Sequence, residues 1–91
     1  MIVNLADKGG RRYLRATFDV ELAQSGDEQK MEAKLPHIKD AAIKIMSTRR
    51  FEDINSIDGK NALRDEIIAR FNELTKSEIV SNIYFTEFVV Q

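Results

Sequence analysis

The 91 residues carry 14 basic and 15 acidic side chains, a formal net charge of −1, with 43% hydrophobic and 32% charged residues. A chain of this size fits one domain and buries only ~60–65% of its extended surface, which leaves little material for a deep substrate cavity. The balanced charge offers no field for nucleic acid or an anionic membrane surface; the lack of cysteine removes disulfides, thiolate metal sites and thiol catalysis; and no apolar run reaches the ~18–20 residues of a membrane span.

Met1 is followed at once by strand-like Ile2 and Val3, with no signal-peptide pattern, as in a chain begun at a domain boundary or at a natural cytosolic start. Asp7-Lys8-Gly9-Gly10 separates two extended segments. Glycine accepts the positive φ of tight turns, so the cluster predicts a β-hairpin joining residues 1–5 to 11–24. A phosphate-cradling loop would need a helix directly after the glycines, and none is predicted there. In the second segment Leu14, Ala16, Phe18, Val20 and Leu22 alternate with Tyr13, Arg15, Thr17, Asp19 and Glu21, the period of a half-buried strand.

Ser25-Gly26-Asp27 ends that strand and supplies cap residues for a helix. Met31 and Leu35 share one face of it, and Pro36 divides it from a second helix, so that two helices with a kink cover residues 27–47. Ile38, Ala42, Ile45 and Met46 line the apolar face of the second; His37, Asp40 and Lys44 line the other. Phe51 and Ile54 stand at helical spacing in a segment too short to assign. Ser56 or Asp58 caps the next helix, with Leu63, Ile67, Phe71 and Leu74 as its stripe and Glu66–Arg70 as an ion pair four apart.

Residues 79–91 are strand-like in composition but do not alternate. Strict period two puts Ile83, Phe85 and Val89 on one face and Tyr84, Thr86, Phe88 and Val90 on the other. A strand apolar on both faces is either central and covered twice or offers one face to a partner. The second set is therefore the candidate interface.

Chemistry-bearing patterns are few. His37 is the single histidine, on the polar side of a helix. Asp65–Glu66 and Glu52–Asp53 are adjacent in sequence, hence ~100° apart on a helix and divergent. The doublets Arg11–Arg12 and Arg49–Arg50 read as solvated edges. Neither a calcium-loop spacing, nor a nucleophile elbow, nor a dinucleotide fingerprint occurs. No catalytic, cofactor-binding or metal-ligating residue is assigned, and no cofactor.

The order of particular residues carries more. The chain reads Val3-Asn4-Leu5 with Asp7, then Arg12-Tyr13-Leu14, then Pro36, Ile38 and Asp40. Gly59-Lys60, Leu63-Arg64 and Glu66-Ile67 follow with Asn72, and Ile83-Tyr84-Phe85-Thr86-Glu87-Phe88-Val89-Val90-Gln91 closes the chain. This resembles, over nearly its whole length, the periplasmic domain of the FliL family of flagellar basal-body-associated proteins. The closing block is the most specific part.

The resemblance implies a single-pass inner-membrane protein with a short cytoplasmic tail and a periplasmic C-terminal domain at the flagellar base. It implies association with ion-driven stator units of the MotA/MotB type, with other basal-body components and with copies of itself. It also implies a fold similar to the stomatin/prohibitin (SPFH) class, whose members form rings, and no enzymatic activity. Contact with the membrane would run only through an N-terminal anchor that these residues do not include.

The expected domain is 1–91, α+β, with the N-terminal hairpin and C-terminal strand in one small sheet and about three helices mainly on one side. A small α+β ligand-binding or enzymatic domain is the rival class, which a deep pocket with convergent polar groups would favour. An SPFH-like scaffold for another membrane complex is a third reading.

Overall fold

A computed structural model describes residues 1–91. Gly9 and Gly10 take φ of 97° and 63°, the left-handed region that a Cβ disfavours, and the chain reverses there. The reversal joins β1 (Ile2–Asn4) to β2 (Tyr13–Leu22) in an antiparallel pair, with Val3 opposite Leu14. Two short helices follow, α1 (Glu28–Ala33) and α2 (Leu35–Met46), with Pro36 in the first turn of α2. Asp27 stands at the N-cap of α1, but its carboxylate caps nothing; only its backbone carbonyl accepts, from Met31 N at 3.1 Å.

The unassigned segment forms a one-turn helix, α3 (Phe51–Ile54), so the chain has four helices. It is held by groups distant in sequence or loop-borne. Asp7 Oδ2 accepts from Phe51 N at 2.9 Å, Asp53 Oδ2 accepts from Arg50 N at 2.9 Å, and Arg12 lies over the Phe51 ring at 4.3 Å. Ser56, the residue that caps α4 (Ile57–Thr75), accepts from Gly59 N at 3.0 Å.

β3 (Val80–Val90) pairs antiparallel with β2, giving the sheet order β1-β2-β3. Leu14, Ala16, Ile83, Val80 and Val3 turn to one side, where they meet Ile38, Ala42 and Met46 of α2 and Leu63, Ile67 and Phe71 of α4 in a single core cluster. The helices thus cover one face of an open sheet. No helix is long and apolar enough to cross a membrane.

The apolar alternation of β2 holds as expected, whereas that of β3 is corrected. Thr17 faces Glu87 but Phe18 faces Phe85, so Thr86 is an extra residue; Glu21 faces Asn82 but Leu22 faces Val80, so Ser81 is another. Each bulge flips the pleat that follows it. Phe88 and Val90 therefore join Ile83 and Phe85 on the helix side, and Val89 turns outward. Nor is β3 central: it is an edge strand, covered on one face only.

At the start of β3 the Asn72 side chain replaces a neighbouring strand. Its Oδ1 accepts from Val80 N at 2.8 Å and its Nδ2 donates to Val80 O at 3.1 Å. Val80 is buried, so losing the amide strands both groups away from water. Asn72→Ala is expected to cost about 2 kcal/mol. Asn72→Asp, which keeps the acceptor and loses the donor, should fall between it and the parent in a denaturant melt.

Candidate interaction surface

The uncovered face of the sheet is built by the outward residues of three strands. Ile2, Arg15 and Val89 form one row across it, and Asp19 beside Tyr84 forms another. Ile2 is 63% exposed, Tyr84 48% and Val89 46%, and Tyr13 is exposed next to them. Thr17 Oγ1 donates to Glu87 Oε1 at 3.4 Å, and Tyr84 Oη donates to Glu21 Oε1 at 3.3 Å. The face is therefore mixed: separated apolar and aromatic side chains set among hydrogen-bonded polar ones.

The four residues of the candidate interface do not share it. Tyr84 projects outward, and Thr86 sits on its bulge with its hydroxyl donating to Thr17 O at 3.3 Å. Phe88 and Val90 pack against the core on the opposite side, the displacement following from the extra residue at Thr86. Phe88 meets Phe85 edge-on at 5.1 Å, with Lys60 Nζ 5.3 Å from its centroid. A signal for this exists in the sequence: the apolar residues Ile83, Phe85, Phe88 and Val90 are spaced two, three and two apart, which is period two with one residue inserted. Ile2, Tyr13 and Val89 complete the outward patch; the alternation of β2 places Tyr13 on this face, whereas strict period two put Val89 on the other and gave Ile2 none.

No three or more His, Cys, Asp or Glu side chains come together in a geometry that could hold a metal ion. His37 is exposed on a shallow depression of about 200 Å³ beside Asp40, Lys44 and Arg70. The expected Glu66–Arg70 pair is not made: Glu66 pairs with Arg49 of the α2–α3 loop, and Arg70 Nη1 reaches Glu73 Oε1 at 2.8 Å. A partner brought close by the fold outcompetes one four residues along the helix. Arg12 and Arg49 thus leave their doublets for Phe51 and Glu66, and neither doublet acts as a unit.

Four helices on one face of an open three-stranded antiparallel sheet define a small α+β domain. The family model described as flagellar basal body-associated protein FliL matches residues 1–91, and the chain belongs to that family. A flagellar protein FliL from Aquifex aeolicus (strain VF5) is 38% identical over 90 residues, which is 99% of this chain and 56% of the relative. The chain spans about half the length of that curated relative.

Proposed function

We propose that these residues are the periplasmic domain of a non-catalytic flagellar basal-body protein, held at the inner membrane by an anchor outside them. In this reading the domain assembles with copies of itself, in an SPFH-like ring, and associates with stator units of the MotA/MotB type. The ring supports stator recruitment, activation and torque in swimming and swarming. The observation that carries the flagellar part is the match to the FliL family along the full 91 residues. Support for assembly comes from the uncovered sheet face, where Tyr84, Val89 and Ile2 remain exposed without a covering layer.

The mechanism is a shift of populations. A ring that braces a stator changes its activity only by binding the active state better than the inactive one, since equal affinity for both shifts nothing. Self-contact between soluble domains is expected to be weak, because an anchor confines copies to a surface and raises their effective concentration. Sedimentation of this chain should show association that grows with concentration. A strict monomer at millimolar concentration contradicts the assembly half of the proposal.

A further inference from the structure

The turn between β2 and α1 and the turn between α4 and β3 lie side by side, tied by Ala23 N donating to Ile79 O at 2.8 Å. Between them is a depression of about 220 Å³, with Gln24, Asp27 and Lys30 on one side and Ser77, Glu78 and Ile79 on the other. No residue of β1 lines it.

Two polar side chains at this place are buried with nothing to bond. Asp27 is 9% exposed. Its backbone is satisfied, the N–H donating to Gln24 O at 3.2 Å and the carbonyl accepting from Met31 N at 3.1 Å. Its carboxylate, however, caps nothing and joins no ion pair. The Ser77 hydroxyl oxygen is buried and likewise has no partner. Burying an unpaired carboxylate or hydroxyl is costly, and folded proteins keep few such groups. The exposed charges at the rim do not offset it: neither Lys30 nor Glu78 is in an ion pair, and Glu78 adds a second negative charge.

The chemistry that satisfies both buried groups is positive charge carried on several N–H donors. A divalent metal ion would need about six oxygen ligands, and no group of three or more acidic or imidazole side chains is placed to hold one. A guanidinium group is planar and engages a carboxylate through a pair of parallel hydrogen bonds, with donors left over for a hydroxyl oxygen. The depression has room for such a head group and is smaller than the pockets that hold whole small molecules. We infer that the depression between Asp27 and Ser77 is a receptor for a single arginine side chain presented by a partner protein. This inference goes beyond the flagellar reading and does not depend on it.

The test titrates the labelled 91-residue chain with N-acetyl-arginine amide and follows amide resonance shifts. Saturable shifts are expected at Asp27, Ser77 and Glu78, with a Kd on the order of millimolar. N-acetyl-citrulline amide, of nearly the same shape without the charge, should bind about tenfold more weakly. Asp27→Asn should lose about tenfold in affinity for the arginine probe, while its melting temperature stays at or above that of the parent, because an unpaired buried charge has been removed. Lys30→Gln, a change at an exposed position that removes a like charge from the rim, should bind the arginine probe roughly threefold more tightly.

Shifts that never saturate, equal binding of the arginine and citrulline probes, or unchanged affinity in a folded Asp27→Asn chain overturn the inference. So do weaker binding by Lys30→Gln and shifts of the same three amides by magnesium chloride at lower concentration than the arginine probe. The last result would assign the site to an inorganic ion.

Discussion

Phe71→Ala is expected to be among the most destabilising single substitutions in the chain, at about 3–5 kcal/mol. Phe71 is fully buried on α4, and its ring stands 6.2 Å from that of Phe18 on β2. Phe18 in turn meets Phe85 edge-on at 6.3 Å, and Phe85 meets Phe88. Truncating Phe71 leaves a cavity at the helix end of this aromatic row and loosens the bulged strand at its other end. A domain of this size has about 5–15 kcal/mol of stability in all. The melting temperature should therefore fall on the order of 20 °C. Ile67→Ala, also in the buried stripe, should cost about 2–5 kcal/mol. Phe18→Ala should cost less than Phe71→Ala, since Phe18 keeps partial contact with solvent. Melting unchanged for Phe71→Ala would mean that α4 does not lie on the sheet as described.

The second large effect has an unusual sign. Glycine within a helix normally costs about 1 kcal/mol relative to alanine, so Gly59→Ala in the first turn of α4 would ordinarily stabilise. Here a Cβ on Gly59 would stand 1.9 Å from the carbonyl oxygen of Asp53 and 2.9 Å from its carbon. The obstructing atoms are backbone and cannot rotate aside, so α3 and α4 would have to separate. Gly59→Ala is expected to destabilise by about 3 kcal/mol. Gly59→Ser should be at least as costly. A melting temperature raised by Gly59→Ala would show that α3 and α4 do not approach this closely.

The same contact explains much of the Gly-Lys-x-x-Leu-Arg block. Gly59 admits the α3 backbone, Lys60 lies over Phe88, Leu63 is buried in the core, and Arg64 bonds Asp65 at 3.0 Å. The asparagine that follows, Asn72, clamps the first residue of β3. Residues that carried the family resemblance thus have structural work in the fold.

Elements whose stability is set by their own periodicity were legible from the chain. Strand β2 and the Leu63, Ile67 and Phe71 stripe of α4 follow from local pattern and are found; the helix break also forms, but at Lys34, so that Leu35, expected on the first helix, opens α2 with Pro36. What escaped depends on residues remote in sequence. Helix α3 is too short to nucleate alone and is tied by Asp7, 44 positions from its bonding partner Phe51. Glu66 chose Arg49 because the fold brought that loop to α4.

The bulges are an intermediate case. Leu14 to Leu22 of β2 are matched by the longer run from Val80 to Val90, a mismatch visible only once the partner strand is known. Assuming strict alternation placed Phe88 and Val90 outward, and the excess of apolar residues then looked like an interface. With the bulges in place, the outward apolar set contracts to Tyr84 and Val89 on β3, joined by Tyr13 from β2 and Ile2 from β1.

The most direct test of the proposed scaffold role is photo-crosslinking in motile cells that carry the full-length protein, with the membrane anchor proposed above. A photoreactive side chain at Tyr84, on the open face, is expected to give adducts to a neighbouring copy or to a stator subunit, while the same group at Phe88, on the packed face, gives few. Adducts to neither from Tyr84 and the other outward positions Ile2 and Val89, in cells that swim normally, would contradict the account.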